Sequence, residues 1–386
     1  MARHVSCTER MWRAALPLLC WYALTQVADA QDVSTFAGNA QHTAIYQPAA
    51  RDLNRILWST SIDVNNTGAF AYYGVPLITS SNTVVVPVKT ASGFQINVFN
   101  GSDGTAKYSL ATHYILPSYT WIPVYQPVLT GGSAGARLYY PGAGGTVYFI
   151  DDPDSSSPGV PTQRVFYGLQ NYQSNAAGFN STVFINTPIT ADSNGNIFFG
   201  FRVQGTAPTP LNTTQSGFAR IDPNGAASYV LAGNAAADGV IQFDSHNSAL
   251  ALSNDGSTVY VVVKSGSTEY YGYLLGLDAV TLATKYKVFL KDPRNGNATN
   301  AGILDVSTAS IKMARRHLIW RGRGGSFKLP LESIRRLNEP PRLGPAKVAS
   351  RHFIDGRSHP SFAKEGNSGS FCFPRLLQIV GRDQDL

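Results

Sequence analysis

Three aspartates, Asp151, Asp152 and Asp154, fall within four residues, a density of carboxylate oxygen that a hard cation such as calcium takes. Asp192-Ser193-Asn194-Gly195-Asn196 offers a second set of oxygens. Neither run has the distal Glu or the full spacing of a cation loop. Asp, Asn and Gly are also what tight turns demand, because they tolerate left-handed backbone and cap their own turns. The favoured reading is turns, with Asp151, Asp152 and Asp154 kept as weak metal candidates. His113, Tyr119, Trp121, Tyr125 and Tyr172 supply an imidazole and aromatic rings within a short span plus one outlier. They are candidates for lining a pocket at a loop-rich mouth, although burial between blades is the commoner explanation for such aromatics.

Gly366-Asn367-Ser368-Gly369-Ser370 resembles the serine-nucleophile loop of trypsin-like proteases. A nucleophile needs a base and an orienting carboxylate. His42, His113 and His246 are present, but nothing around them carries that family's pattern, so coincidence is the better account and no catalytic residue is assigned. Arg321-Gly322-Arg323-Gly324-Gly325 could track a phosphate backbone, yet it is one copy, and nucleic-acid binding stays an alternative. Five Asn-x-Ser/Thr sequons, at Asn65, Asn100, Asn180, Asn212 and Asn297, matter only in a eukaryotic secretory pathway.

These residues sit in a 386-residue chain with 14% charged residues and abundant Gly and Tyr, a mixture suited to turn-rich β structure. The net charge of +7 is unevenly placed: residues 311–386 carry 15 Lys+Arg against 6 Asp+Glu, while the preceding body is slightly acidic. The basic balance therefore describes the tail. The three cysteines are Cys7, Cys20 and Cys372, so the body can hold neither a disulfide framework nor a cysteine metal site. Arg3, Arg10 and Arg13 precede the short apolar run Ala14 to Thr25, and Ala28-Asp29-Ala30 places small residues at a cleavage position. Residues 1–30 read as a secretory signal peptide, too short in apolar length for a membrane span. The expected location is secreted or periplasmic.

The element that must position everything else is a strand-turn-strand phrase. Gly74 to Gly104 contains the run Val84 to Val88, a turn at Ser92-Gly93, an alternating strand Phe94, Ile96, Val98 and a polar corner at Asn100 to Gly104. Such units read as antiparallel meanders. The phrase returns at Pro127, Pro188 and Ala249, and is announced once more at Ala309, after steps of 51, 61, 61 and 60 residues from Pro76. A further candidate strand, Arg55 to Ile62, precedes the first copy. That period, with several strands in each and no helical pattern, predicts an all-β propeller over residues 31–310 with four readable blades. A β-sandwich would not require the same phrase each time.

The phrases Pro-x-(x)-Thr, Asn/Asp-Gly turn, Val-Tyr-Val and Leu-x-Gly-Leu-Asp resemble blades of the quinoprotein alcohol dehydrogenase-like (PQQ-like) propeller superfamily. Thr35 to His42, Asn82 to Thr90 and Pro141 to Tyr148 resemble, more narrowly, an uncharacterised group of secreted bacterial propellers. The resemblance implies a fold and an exported location, and an activity much less firmly. Enzymes of that superfamily use PQQ, calcium, a carboxylate base and an adjacent cysteine pair. The body here has no cysteine and no Trp between Trp121 and Trp320, so no cofactor is expected, with PQQ or calcium as the minor alternative. The expected role is a non-catalytic binding or scaffolding module for an extracellular or periplasmic ligand; a PQQ- or metal-dependent oxidoreductase remnant is the rival.

After about residue 310 the pattern stops. All 19 tyrosines precede Ile311, and Gly/Asn turns give way to Arg315-Arg316 and Arg335-Arg336. Residues 311–386 are expected to be a basic, low-order tail, read out of frame or truncated; the coding sequence around codon 310 is the check. A ring of six to eight blades of about 60 residues needs more chain than residues 31–310 provide, so the chain is expected to be poorly stable or aggregation-prone.

Overall fold

Repeated β-branched and aromatic runs, each closed by an Asp- or Asn-bearing corner, have one economical outcome: short antiparallel strands in series. A computed structural model describes residues 32–46, 55–61, 74–90, 93–117, 124–131, 136–266 and 271–290, together with the backbone of strands at 310–314, 317–322, 325–330 and 376–379. The signal peptide expected at 1–30, and Tyr119, Trp121 and Ser368, lie outside the described residues, as does most of the tail.

The chain opens with β1 (Trp58–Ser61) and then builds four blades. The first is the meander β2 (Leu77–Ile78), β3 (Thr83–Thr90), β4 (Gly93–Asn100) and β5 (Ala106–Ala111). The second is β6 (Val128–Thr130), β7 (Arg137–Pro141), β8 (Thr146–Asp151) and β9 (Thr162–Val165). Two short helices, α1 (Leu169–Ser174) and α2 (Ala176–Thr182), lead into the third: β10 (Val183–Ile185), β11 (Thr190–Ala191), β12 (Ile197–Val203), β13 (Gly217–Ile221) and β14 (Ala227–Leu231). After α3 (Ala232–Ala236) comes the fourth: β15 (Ile241–Asp244), β16 (Ala251–Leu252), β17 (Thr258–Ser265), β18 (Gly272–Asp278) and β19 (Thr284–Phe289).

In the third and fourth blades the inner strand is broken. Both β10 and β11 pair antiparallel with β12, and both β15 and β16 pair with β17. Three further strands, β20 (Ser310–Ala314), β21 (His317–Gly322) and β22 (Gly325–Pro330), form another meander. The last strand, β23 (Leu376–Ile379), pairs with β1, matching Trp58 to Ile379 and Ser61 to Leu376.

A four-stranded meander fixes which connections share an end. Entry to the inner strand, the turn between its second and third strands, and exit from the outer strand lie at one end, here the entry end. The other two turns lie at the opposite, turn end. Between successive blades the inward faces of the strands meet in separate apolar cores. Leu77, Val85, Ile96 and Val98 pack with Tyr125, Leu138 and Tyr140. Tyr139, Val147 and Phe149 share a core with Ile185, Phe199 and Phe201, and Phe198 and Phe218 share one with Val259, Val261 and Leu275. Face-to-face sheet packing of this kind is where the stability resides, at roughly 1.5–3 kcal/mol for each large side chain fully buried. The result is an all-β propeller-type series of meanders, with four blades readable as the sequence predicts.

The corners are built by aspartate. Asp192 Oδ1 accepts from the backbone N–H of Asn194 and of Asn196. Asp222 receives the N–H groups of Asn224 and Ala226, and Asp278 those of Val280 and Thr281. A side chain that satisfies its own turn in this way explains the Asp-Asn-Gly spacing without a cation.

At the turn end an N-terminal strap crosses the inner strands of all four blades. Val33 bridges Ile78, Ser34 O accepts from Leu129 N at 2.7 Å, and Thr35 Oγ1 donates to Ile189 O at 2.8 Å. Further along, Ala40 O accepts from Leu252 N at 2.8 Å, and Gln41 Nε2 donates to Ser253 O. Thr35 and His42 are both buried. The span Thr35 to His42, singled out in the sequence, is thus an internal fastening.

Candidate functional site

At the entry end, three connections converge on one histidine. His113 lies between β5 and β6, Tyr148 near the start of β8, and Tyr172 on α1, with Asn180 on α2. Tyr148 Oη lies 3.0 Å from His113 Nδ1, His113 Nε2 lies 2.8 Å from Tyr172 Oη, and Tyr172 Oη donates to Asn180 Oδ1 at 3.1 Å. The directions follow from the end of the chain. An amide oxygen only accepts, so Tyr172 spends its hydrogen there and accepts from His113 Nε2–H; His113 Nδ1 then accepts from Tyr148. This is a neutral imidazole, and burial pulls His113 below its ordinary pKa of 6.5, which favours that form. Burial raises the Tyr148 phenol.

The local sequence builds this cluster through glycine and an Asn cap. Gly168, at φ 101, turns the chain from β9 into α1, and Asn175 caps α2 by accepting from Gly178 N at 3.1 Å. Gly144, at φ 67 in the turn between β7 and β8, lies under the cluster, where a Cβ would stand 2.8 Å from both Asn180 Oδ1 and the Tyr172 ring. Only a residue without a side chain lets the turn approach so closely.

Of the sequence candidates, His113 and Tyr172 are brought together. Tyr125 is fully buried beside Phe94 and Tyr114 at ring-centroid distances of 4.9 and 5.1 Å. The three aspartates do not converge. Asp151 pairs with Arg137 at 2.5 Å, Asp152 turns the chain at φ 50, and Asp154 accepts from Thr79 at 2.6 Å. The sequence reading missed Tyr148 and Asn180, the first resembling any strand aromatic and the second a sequon.

A second polar group occupies the hub, at the inner-strand breaks. Asn186 and Asn247 hold equivalent places, each two residues before Pro188 or Ala249, and Asn247 N donates to Asn186 O at 2.8 Å. Asn186 Nδ2 donates to Asp244 Oδ1 at 3.2 Å, while Asp244 Oδ2, Asn186 Oδ1 and Ser248 Oγ are buried with no hydrogen-bond partner among the described residues. Asp244 is fully buried, and its pKa is pushed up to about 7 by desolvation, against the pull of Arg202, Asn186 and Lys264. Gly200 makes room for it, since a Cβ there would lie 2.7 Å from Asp244 Oδ2.

The polar groups at the inner-strand breaks bear on the quinone cofactor that the sequence resemblance implies. The Asp244 carboxyl is fully buried and shares its field with two cations, Arg202 and Lys264, which repel a divalent metal. No cysteine lies between Cys20 and Cys372. These described residues do not fit PQQ with calcium. No group of three or more metal-ligating side chains occurs among the described residues, and no described helix is long and apolar enough to cross a membrane.

No protein-family model matches the chain, and no curated relative matches its sequence. Solved structures do resemble it. BamB from Moraxella catarrhalis is 12% identical with a TM-score of 0.36, over 69% of this chain and 60% of that one. A europium-containing methanol dehydrogenase is 8% identical at TM-score 0.46, over 78% and 58%. Quinohemoprotein alcohol dehydrogenase from Comamonas testosteroni is 10% identical at 0.25, over 80% and 74%. This chain therefore spans about 60% of the first two. The likeness is one of fold alone and transfers no activity.

Proposed function

We propose that this chain is an exported, non-catalytic binding module whose ligand docks at the entry end, over His113, Tyr148 and Tyr172. The observation that carries the reading is the convergence of three connections on one half-buried, hydrogen-bonded cluster of uncharged groups. The strap of residues 33–44 occupies the opposite end, which supports assigning recognition to this one. Phenol, imidazole and amide groups with aromatic faces suit a neutral, hydroxyl-rich ligand such as an oligosaccharide, because they offer hydrogen bonds and stacking without net charge. The signal-like residues 1–30 support a secreted or periplasmic location.

The test is a glycan array that includes charged polymers such as heparin, probed with the full chain and with Tyr148→Ala. Binding to neutral oligosaccharides, weakened at least about tenfold by loss of a single stacking and hydrogen-bonding side chain, supports the reading. Absence of binding to any glycan, binding unaffected by Tyr148→Ala, or preference for heparin overturns it.

A further inference from the structure

The same end of the molecule holds an unusual density of phenols, and they differ in where each hydroxyl proton can go. Tyr140 is fully buried and stacked on Tyr148, with ring centroids 5.7 Å apart and planes at 24°. Its hydroxyl has no hydrogen-bond partner among the described residues. Tyr114 Oη donates to the backbone carbonyls of Val124 and Ile185, and Tyr172 Oη donates to the Asn180 amide. Carbonyl and amide oxygens are not bases near neutral pH. Tyr148 alone in this group gives its hydrogen to a titratable base, at 3.0 Å. The pair is half-exposed, and the imidazole is held in place by its second bond to Tyr172.

That difference matters for one reaction. A phenol that loses an electron becomes a very strong acid, so its oxidation is easy only where the proton can leave in the same step. We propose that Tyr148 and His113 form a proton-coupled one-electron oxidation site, the electron donor of this protein toward small one-electron oxidants such as peroxide-derived species or high-potential metal complexes. The electron passes from the Tyr148 phenol to the oxidant. The O–H bond breaks and its proton forms an N–H bond at His113 Nδ1. The products are a neutral phenoxyl radical on Tyr148, an imidazolium on His113 and the oxidant reduced by one electron. Tyr140 shares the stack but has no base, so the radical stays on Tyr148 instead of moving into the core. Asn180 contributes by taking the Tyr172 hydrogen, which leaves His113 Nδ1 as the vacant acceptor. The depressed basicity of His113 fits this role, because it keeps Nδ1 unprotonated to lower pH than a free histidine. This activity is independent of glycan binding at the same face, and either can fail alone.

The experiment is flash photolysis of the full chain with a ruthenium polypyridyl photosensitiser and persulfate, following the phenoxyl absorption band and trapping the radical for electron paramagnetic resonance. The expected result is a tyrosyl radical absent in Tyr148→Phe, a change that deletes one hydroxyl and keeps the ring stacked on Tyr140. In His113→Leu its formation slows about 100-fold, the lower end of what a positioned base contributes to proton transfer. In the unmodified chain the rate falls as acid protonates His113, and it slows in deuterated water. An undiminished tyrosyl signal in Tyr148→Phe, or an unchanged rate in a folded His113→Leu, overturns the proposal. Should His113→Leu fail to fold, the Tyr148→Phe comparison and the pH profile of the unmodified chain decide it.

Discussion

His113 and Asp244 titrate in opposite senses and push the pH dependence of stability in opposite directions. His113 has a lowered pKa in the fold because burial disfavours its charged form. The unfolded chain therefore binds the proton more readily, and stability is lost as pH falls through and below 6.5. Asp244 is the reverse case: its folded value, about 7, stands above the ordinary 3.8. The folded chain binds the extra proton, so the stability it contributes is present in acid and lost as pH rises from about 4 to 7. Asp244→Asn should remove that loss. Chemical denaturation at pH 8 is expected to show the variant more stable by on the order of 1–3 kcal/mol, with little difference at pH 4. A variant less stable at both pH values would mean that the carboxylate is held charged by Arg202 and Lys264. Sequence carried only part of this. A histidine among aromatics was visible as a candidate, but Asp244-Ser245-His246-Asn247 reads as one more polar turn. Only the break between β15 and β16 buries its carboxyl in the hub.

The repeat was legible because a Pro or Ala recurs at nearly constant steps; it stands one residue before the inner-strand starts Leu77 and Val128, but in the third and fourth blades it marks only the second half of the broken inner strand, at Thr190 and Ala251, after starts at Val183 and Ile241. The helices α1 and α2 were not legible, since residues 169–182 carry no apolar stripe of helical period. They form because Gly168 turns the chain, Asn175 caps the second helix, and Tyr172 and Phe179 are buried. Gly144 couples this pair of helices to the second blade. Gly144→Ala should therefore act on the element, not on the turn alone. Its Cβ would displace the Tyr172 ring and Asn180, and the residue would hold φ 67 without glycine's freedom. The expected cost is about 1–3 kcal/mol, with hydrogen exchange faster across residues 169–182 and unchanged in the fourth blade. Uniform acceleration across all blades would place the damage elsewhere. The strap is a second element with reach beyond itself. Thr35→Val deletes one buried hydrogen bond to Ile189 and should cost about 1–2 kcal/mol, chiefly by leaving that carbonyl unpaired. Exchange should rise at the inner strand of the third blade first.

At the scale of the whole molecule the question is what covers the outer face of the first blade. Val84, Val86, Val88 and Phe99 form a cluster on that face, and Trp58 of β1 closes it, with its Nε1 donating to Gly101 O at 3.0 Å. Gly104, at φ 74, lies beneath the indole, where a Cβ would come within 2.5 Å. β1 in turn takes its hydrogen bonds from β23, more than 300 residues later. The candidate strand Arg55 to Ile62 could be read from sequence, but its partner could not, because pairing of such separation leaves no local pattern. Among the described strands β1 pairs with β23 alone, and a strand left with both edges unpaired is a template for another chain. Deleting residues 376–386 should therefore expose β1 and drive concentration-dependent association, seen by light scattering as a rise in mass. Ser59→Lys in the truncated chain should suppress it, since a charged side chain on an open edge disfavours further strand addition. Gly104→Ala in the full chain should also associate, because lifting Trp58 uncovers the valine face without touching β23. Association by the truncation but not by Gly104→Ala would assign the effect to the strand edge; association by both assigns it to the apolar face that Trp58 of β1 covers. A truncated chain that stays monomeric would show that Trp58 packing alone holds β1, and that its pairing with β23 is not needed to keep that face covered.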